Sequence, residues 1–292
     1  MTMRIDRRTF LGTMTAGAIL SRRFAWAAER KIEHIGVQLY TVRDAMKEDF
    51  DGTLAKVAAV GYKEVEFAGY FDHSPKDVRA ALERHGLVAP SAHVDYQSLS
   101  PDTWPKVIEA ANIVGHKYIV NPWIGDDLRK QPDAWKQASA TFNRAGEYSK
   151  KHDVQFAYHN HWFEFEPVDG KLPYDMLLAD CDPNLVKMEM DLCWITAGRQ
   201  DPLKYFAKYP GRFPLVHVKD LKKLPPFPAE GGQNFGDTVD MAPVGGGLID
   251  WKRILAKSQE AGIKHYFVEH DKPSDGFASI KASYDYLKDL RV

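Results

Sequence analysis

Short apolar runs alternate with amphipathic stretches along the chain from residue 32 onward. Apolar runs of four to eight residues are typical of buried strands, and apolar residues spaced three and four apart are typical of helices that pack on one face. The pattern repeats eight times and therefore predicts eight strands separated by helices. The predicted strands cover residues 35–40, 63–67, 87–94, 117–121, 154–161, 185–191, 213–219 and 265–270.

This alternation predicts an α/β fold in which parallel strands are joined by right-handed crossovers. Eight units within roughly 260 residues favour a closed (β/α)₈ TIM barrel over an open doubly wound sheet. Gly86, Gly115 and Gly262 fall shortly before predicted strands, where the end of a helix requires a positive φ. No GxGxxG follows the first strand, so the main signature of a dinucleotide-binding fold is absent.

The first 27 residues follow a different pattern. Arg7 and Arg8 precede an apolar run that is shorter than the roughly 20 residues of a stable membrane span, and Ala25-Trp26-Ala27 resembles a signal-peptidase site. These features are typical of a twin-arginine export signal. We expect residues 1–27 to be a signal peptide, residues 28–292 to form the barrel domain, and the protein to be periplasmic; an ordinary N-terminal helix or tail is the alternative.

Composition narrows the range of partners. The 292 residues carry a net charge of −1, which argues against the basic face that duplex nucleic acid requires. The two cysteines are too few for a disulfide framework. We therefore expect a small-molecule partner, no nucleic acid and no stable membrane span, and leave a homo-oligomer open.

One connection is unusually long. The segment between Asp220 and Leu248 is rich in proline and glycine and exceeds an ordinary βα loop. Long loops inside compact domains are often binding loops or lids. We expect this insertion to cover a substrate.

Polar residues stand at or just after the carboxyl ends of the predicted strands, the face of a (β/α)₈ barrel where catalysis takes place. Together they form a dense set that predicts a functional site at this face. The set comprises Gln38, Glu66, His93, Asn121, His159, His161, Asp191, His217, Lys219, Glu269 and Asp271.

Four of these residues predict a metal site. His159, Asp191, His217 and Glu269 come from the fifth to the eighth strand. Two imidazoles and two carboxylates suit Mn²⁺, Zn²⁺, Co²⁺ or Fe²⁺, whereas an all-oxygen set would favour Mg²⁺ or Ca²⁺. Crowding these groups without a compensating cation would be costly, because buried charge needs a partner.

Several short motifs carry a family resemblance. YHNH at 158–161, MDLCW at 190–194, HVKD at 217–220, VGGGLIDWKRIL at 244–255 and VEHD at 268–271 resemble the sugar phosphate isomerase/epimerase family. The resemblance covers essentially everything after the predicted signal peptide. It implies a xylose isomerase-like TIM barrel with a divalent metal held by residues of the last four strands.

The resemblance also carries site residues, with one departure. In the ketose epimerases of this family the ligands are Glu, Asp, His and Glu, and Asp191, His217 and Glu269 match the last three. The strand-five position instead reads His159-Asn160-His161, similar to the tandem histidines of the inosose dehydratase branch. A symmetrical proton exchange between two glutamates is therefore in doubt, and either histidine could be the strand-five ligand.

The function implied by the resemblance is sugar isomerisation or epimerisation, by proton abstraction next to a carbonyl through a metal-stabilised enediolate. Glu269 is the leading candidate for the base and His161 the second, with Lys219 and Glu66 as further catalytic candidates. Four other residues are expected to bind substrate. They are Gln38, His93, Trp162 and Trp194.

Two other functions remain open. A lyase or dehydratase acting on a keto-sugar or 3-keto-glycoside would use the same metal site, and the missing strand-five carboxylate favours it because elimination needs one base and one acid. A sugar-binding protein without turnover belongs to another class. A complete set of metal ligands argues against that third possibility.

Overall fold

The computed structural model describes residues 30–228 and 234–292. The predicted signal peptide, residues 1–27, lies outside the described residues. The two ends of the described chain meet: Arg30 N donates to Val292 O at 2.7 Å, and Val292 N donates to Arg30 O at 3.0 Å. The described part of the chain thus begins and finishes at one place on the barrel.

Eight parallel strands close into a barrel, which confirms the predicted (β/α)₈ fold. Each strand pairs with its neighbours in sequence, and the last strand pairs with the first through Ile35 and Tyr266. All eight predicted strands overlap the observed ones. The barrel strands are β1 (Ile35–Gln38), β2 (Glu64–Ala68), β3 (Val88–His93), β4 (Tyr118–Asn121), β5 (Gln155–His159), β6 (Val186–Asp191), β7 (Leu215–Val218) and β8 (His265–Val268).

Helices connect successive strands, and their ends follow the usual capping chemistry. Ser74 Oγ accepts from Asp77 N at the start of one helix, and Gly86 ends that helix with a φ of 63°. No helix in the described part of the chain combines the length and hydropathy that crossing a bilayer would require. The α-helices are Arg43–Glu48, Phe50–Val60, Pro75–His85, Trp104–Val114, Asp126–Arg129, Ala134–Lys150, Pro173–Asp180, Leu192–Ala197, Pro202–Lys208, Phe235–Thr238, Trp251–Leu255, Ser258–Ala261 and Gly276–Asp289, and the 3₁₀ turns are Leu39–Val42, Gln97–Leu99 and Phe163–Phe165.

The barrel interior changes from apolar to charged along the strands. Tyr118, Val120, Ala157, Leu215 and Phe267 form a separate buried apolar cluster. Side chains two positions apart on a strand share a face, so the residues that follow these toward the carboxyl ends point into the same interior. The apolar cluster therefore supports the polar residues above it.

The long insertion is anchored at the end of β7. Asp220–Leu221 pairs antiparallel with Met241–Ala242, and the buried carboxylate of Asp220 accepts hydrogen bonds from donors beyond that pair. These donors are the backbone N–H groups of Gly245, Gly247 and Ile249 at 3.0, 3.1 and 3.2 Å and Trp251 Nε1 at 2.9 Å, besides Leu221 N at 2.9 Å. The chain leaving the insertion is thus held against the barrel by one side chain.

Gly262 offers a stability test of the helix-to-strand turns. Its φ is +83°, and an added Cβ would lie 2.7 Å from the Cα of Gly211. We expect Gly262→Ala to lower the free energy of unfolding by about 3 kcal/mol, because the backbone strain and the clash add. Urea denaturation measures this loss. Gly125→Ala is the control, since its φ is −60° and its added Cβ meets nothing within 4 Å; an equal loss in both variants would contradict the expectation.

Candidate functional site

A cavity of about 840 Å³ opens at the carboxyl ends of the barrel strands. Most of the predicted site residues line it, as do Asn234, Gly236 and Asp237 of the long insertion. The predicted covering role of that insertion remains a prediction. The predicted site residues on the cavity wall are His93, His159, His161, Trp162, Trp194, Lys219, Glu269 and Asp271.

Three of the four predicted metal ligands lie together. One ligand atom each of Asp191, His217 and Glu269 lies within 4.8 Å of the others, and we call these residues the upper cluster. His217 Nδ1 is 2.7 Å from Glu269 Oε2 and 3.9 Å from Asp191 Oδ2. The three residues come from the ends of β6, β7 and β8, as the strand-end argument predicts.

Asp191 presents one oxygen to this cluster because the other caps a helix. Its Oδ1 accepts from Cys193 N at 2.9 Å and Trp194 N at 2.8 Å at the start of Leu192–Ala197. Its Oδ2 is buried and accepts no hydrogen bond. Burial raises the pKa of Asp191 to about 6. A buried carboxylate oxygen left in this state is a ready ligand for a cation.

Lys219 is buried beside the upper cluster and does not extend to the surface. Its Nζ lies 3.1 Å from Asp191 Oδ2, 2.7 Å from Glu269 Oε2 and 2.8 Å from Asp271 Oδ1. Burial acts to lower the pKa of Lys219, but these carboxylates outweigh it and raise the pKa well above its usual value. Lys219 therefore carries a fixed positive charge that balances part of the acidic charge here.

A second group of charged residues lies under the upper cluster, and we call it the floor cluster: Glu66, His93, Glu189 and the Nε2 side of His217. His93 Nε2 lies 3.1 Å from Glu66 Oε2 and 2.7 Å from Glu189 Oε2. His217 Nε2 lies 2.7 and 3.2 Å from the same two oxygens. Burial acts to lower the pKa of His93, yet the two carboxylates raise it to about 9.

Glu189 is the residue of this floor that the sequence analysis missed. It lies on β6 two positions before Asp191, so both side chains point into the barrel, and this spacing was the available signal. Glu66 and Gln38, predicted to be catalytic and substrate-binding, are fully buried in the same floor, where Gln38 Nε2 donates to Glu66 Oε2 at 2.8 Å. Neither residue lines the cavity. Their positions therefore favour a role in holding the floor cluster in place over direct contact with a substrate.

His159, the fourth predicted ligand, lies between the two clusters. Its Nδ1 is 3.2 Å from Glu189 Oε2 and its Nε2 is 3.8 Å from Asp191 Oδ2. One of its ring nitrogens lies within 4.8 Å of a ligand atom of each of His93, Glu189 and His217. Burial, followed by the charge of His217, lowers the pKa of His159 well below its usual value, so the ring is neutral and one of its two nitrogens offers a lone pair.

His161 lines the cavity and is held by the residues that follow it. Its backbone N donates to Glu164 Oε2 at 2.9 Å, and Tyr158 OH donates to the other oxygen of Glu164. Its ring stacks on Phe163 with centroids 5.7 Å apart. Nδ1 is buried without a hydrogen-bond partner, and burial, then Lys219, lowers the pKa of the ring well below its usual value. His161 is thus a neutral imidazole with an unengaged nitrogen.

The predicted aromatic residues form one side of the cavity. The rings of Trp162 and Trp194 lie 4.9 Å apart, and Trp194 stacks on His161 with a centroid distance of 5.9 Å. Trp162 also contacts the insertion, since a Cβ added at Gly236 would lie 2.6 Å from its Cη2 atom. The run Trp162-Phe163 therefore packs around His161 and supports the wall.

The donor set fits a divalent cation. The upper cluster offers two carboxylates and one imidazole. Asp191 Oδ2, which Lys219 Nζ faces at 3.1 Å, is among these groups, and His159 Nε2 lies 3.8 Å from it. Mixed nitrogen and oxygen ligands of this kind suit a borderline divalent ion. The set therefore suits each of the predicted ions, Mn²⁺, Zn²⁺, Co²⁺ and Fe²⁺.

Comparisons with known proteins agree with this fold. The profile of the family described as "Xylose isomerase-like TIM barrel" matches residues 54–290. An inosose dehydratase of Lacticaseibacillus casei is 23% identical over 267 residues, which cover 82% of this chain and 84% of that protein.

Two solved structures extend the comparison. A sugar phosphate isomerase/epimerase from Parabacteroides distasonis is 27% identical, with a TM-score of 0.68 and coverage of 91% of this chain and 95% of that one. The IOLI protein, solved with a zinc atom, is 16% identical, with a TM-score of 0.66 and coverage of 87% and 96%, and shows the shared fold. The chain belongs to the xylose isomerase-like TIM barrel family.

Proposed function

We propose that the protein is a metal-dependent lyase of the dehydratase type, which removes a proton next to the carbonyl of a keto-sugar and expels a substituent from the following carbon. The observation that carries this proposal is His161, a neutral imidazole on the cavity wall that is not one of the proposed metal ligands. The strand-five position has no carboxylate for a second, matched base. The similarity to an inosose dehydratase supports the same reaction class.

The upper cluster, Asp191, His217 and Glu269, would hold the divalent cation. His159 would be the additional ligand, since its Nε2 lies 3.8 Å from Asp191 Oδ2. The bound cation supplies Lewis acidity, which draws charge toward the carbonyl oxygen of the substrate. The floor cluster fixes the ring of His217 from below, so the ligand is presented in one orientation.

Side chains of the protein then take separate roles in the proton transfer. His161, on the cavity wall, accepts the substrate proton at its imidazole ring, and Glu164 holds the backbone of His161 in place. The positive charge of Lys219, on the cavity wall, stabilises the negative charge that develops on the departing oxygen. Glu269 is a weaker candidate base than the sequence analysis expected: burial acts to raise its pKa, but Lys219 and His217 outweigh burial and lower it.

A sugar isomerase or epimerase is the second candidate, favoured by the 27% identical structure of that description. It needs the same proton removal followed by return of a proton to carbon. The two functions therefore share the base and the ligands and differ in the fate of the second substituent.

The test is proton NMR of the metal-loaded protein in D₂O with a panel of keto-sugars and keto-inositols. We expect the substrate to lose a water or an alcohol and to form an unsaturated product. Deuterium incorporated into a rearranged sugar without loss of a group would instead establish the isomerase. Absence of turnover by protein that binds these sugars would indicate a binding protein.

His161→Gln should lower kcat by at least about a hundredfold and leave the metal content unchanged, because the side chain loses a base but the upper cluster stays intact. Steady-state kinetics and elemental analysis measure the two effects. His152→Gln alters an exposed histidine outside the cavity and serves as the matched control. Loss of metal in His161→Gln would identify His161 as the strand-five ligand instead.

We also propose that residues 1–27 direct export to the periplasm by the twin-arginine route. The pair Arg7-Arg8 and the Ala25-Trp26-Ala27 sequence support this proposal. Replacing both arginines with lysine should retain the protein inside the cell, as measured by cell fractionation. Unchanged periplasmic protein would contradict the proposal.

A further inference from the structure

The cavity is much larger than one sugar. A hexose takes up the space of roughly six waters of about 30 Å³ each. The cavity holds about 840 Å³, so a single ring over the upper cluster leaves most of it unfilled. Because the catalytic groups lie at the inner end, the remaining space lies toward the mouth.

Aromatic side chains flank this outer space. Tyr40 and Trp123 both line the cavity and are 42% and 36% exposed, unusual for side chains of this size. Tyr40 follows β1 and Trp123 follows β4, so they stand at separate positions around the barrel rim. Exposed aromatic faces in a cavity are suited to stacking on a ring of the ligand.

The tyrosine is held in place for such a contact. The guanidinium of Arg43 lies 4.1 Å from the ring centroid of Tyr40. Arg43 Nη1 donates to Tyr40 O at 2.8 Å and to Asp271 O at 2.9 Å. Tyr40 therefore presents a supported surface toward the cavity.

The charges of the cavity wall argue against a phosphorylated substrate. Among the described lining residues, the lysines and the arginine already have acidic or carbonyl partners: Lys219 contacts three carboxylates, Lys272 pairs with Asp237, and Arg43 donates to two carbonyl oxygens. Phosphate is usually bound by Arg or Lys groups free to point at it. A ligand that fills the outer space is therefore uncharged.

We propose that the outer space, between Tyr40 and Trp123, is a subsite for the second ring of an uncharged glycoside, either an aryl group or another sugar. This inference rests on the proposed lyase function. The carbon next to the carbonyl loses its proton to His161, its electron pair forms the carbon–carbon double bond, and the bond from the following carbon to the glycosidic oxygen breaks. The electron pair of that broken bond stays on the glycosidic oxygen, which takes a proton from water, and the second unit leaves as an alcohol.

The test is equilibrium binding to the metal-loaded protein, measured by calorimetry with phenyl β-glucoside, glucose and glucose 6-phosphate. We expect phenyl β-glucoside to bind at least about tenfold more tightly than glucose, since stacking adds to the inner contacts. Glucose 6-phosphate should bind no more tightly than glucose. Because no turnover is measured, this result is independent of whether the lyase reaction takes place.

Alanine variants test which side chains cause the preference for phenyl β-glucoside over glucose. In Tyr40→Ala and Trp123→Ala, the ratio of the Kd for glucose to the Kd for phenyl β-glucoside should fall to less than about a third of its normal value. Tyr148→Ala, a substitution on a helix outside the cavity, should leave that ratio unchanged. Glucose binding as tightly as phenyl β-glucoside, tighter binding of glucose 6-phosphate, or no measurable binding of phenyl β-glucoside would each overturn the inference.

Discussion

Replacing His217 with alanine should release the divalent cation and lower kcat/KM by about a thousandfold or more. The ring is shared by both clusters: Nδ1 lies 2.7 Å from Glu269 Oε2 and Nε2 lies 2.7 Å from Glu66 Oε2. Its removal would delete one proposed ligand and leave buried carboxylates facing each other without the ring that separates them. Elemental analysis of dialysed protein and steady-state kinetics measure the two losses together.

His265→Ala is the matched control, because this histidine also pairs with a buried carboxylate but at the opposite end of the barrel. Its Nδ1 lies 2.7 Å from Glu64 Oε2. The control should keep its metal and its activity. Asp191→Ala should behave like His217→Ala. A His217→Ala protein that retains a full equivalent of metal would refute the ligand assignment, and equal activity of the metal-free natural protein would refute the metal dependence.

Asp220→Ala should lower the free energy of unfolding by about 4 kcal/mol, because buried N–H donors lose their acceptor. The donors span Leu221 to Trp251, so the loss also detaches the insertion from the barrel. We expect a rise in KM greater than the fall in kcat, since the insertion contributes to the cavity wall and not to the proton chemistry. Urea denaturation and steady-state kinetics measure these effects.

Asp240→Ala provides the comparison for that variant. Asp240 is exposed and pairs with Lys222 at 2.9 Å. Exposed ion pairs contribute little, so its stability should change by less than about 1 kcal/mol. A similarly small change in Asp220→Ala would show that the anchoring role is wrong.

Much of the fold was accessible from the sequence because one physical signal repeats eight times. Apolar runs had to become buried strands, and strand ends had to meet at one face, so the amino-acid order alone was enough to place Asp191, His217 and Glu269 together. The same argument placed His161 on the cavity wall. These predictions depend only on strand periodicity and barrel closure.

The depth at which each site residue lies in the barrel depends on distances that the hydrophobic periodicity of the sequence does not predict. Strand ends are staggered around a barrel, so residues at equivalent positions lie at different depths. His159 consequently lies between the two clusters, and Glu66 falls below the cavity with Gln38. The burial of Lys219 among carboxylates likewise follows from the barrel geometry, because a lysine after a strand can equally extend to solvent.

The shared position of His217 constrains how the site can be altered. A histidine that offers Nδ1 to an ion must keep its hydrogen on Nε2, and the oxygens of Glu66 and Glu189 are placed to accept from that nitrogen. The two glutamates would thereby select the ring tautomer of a metal-bound His217. Redesigning the protein for another metal would therefore require choosing the residues of the floor cluster as carefully as the residues that bind the metal directly.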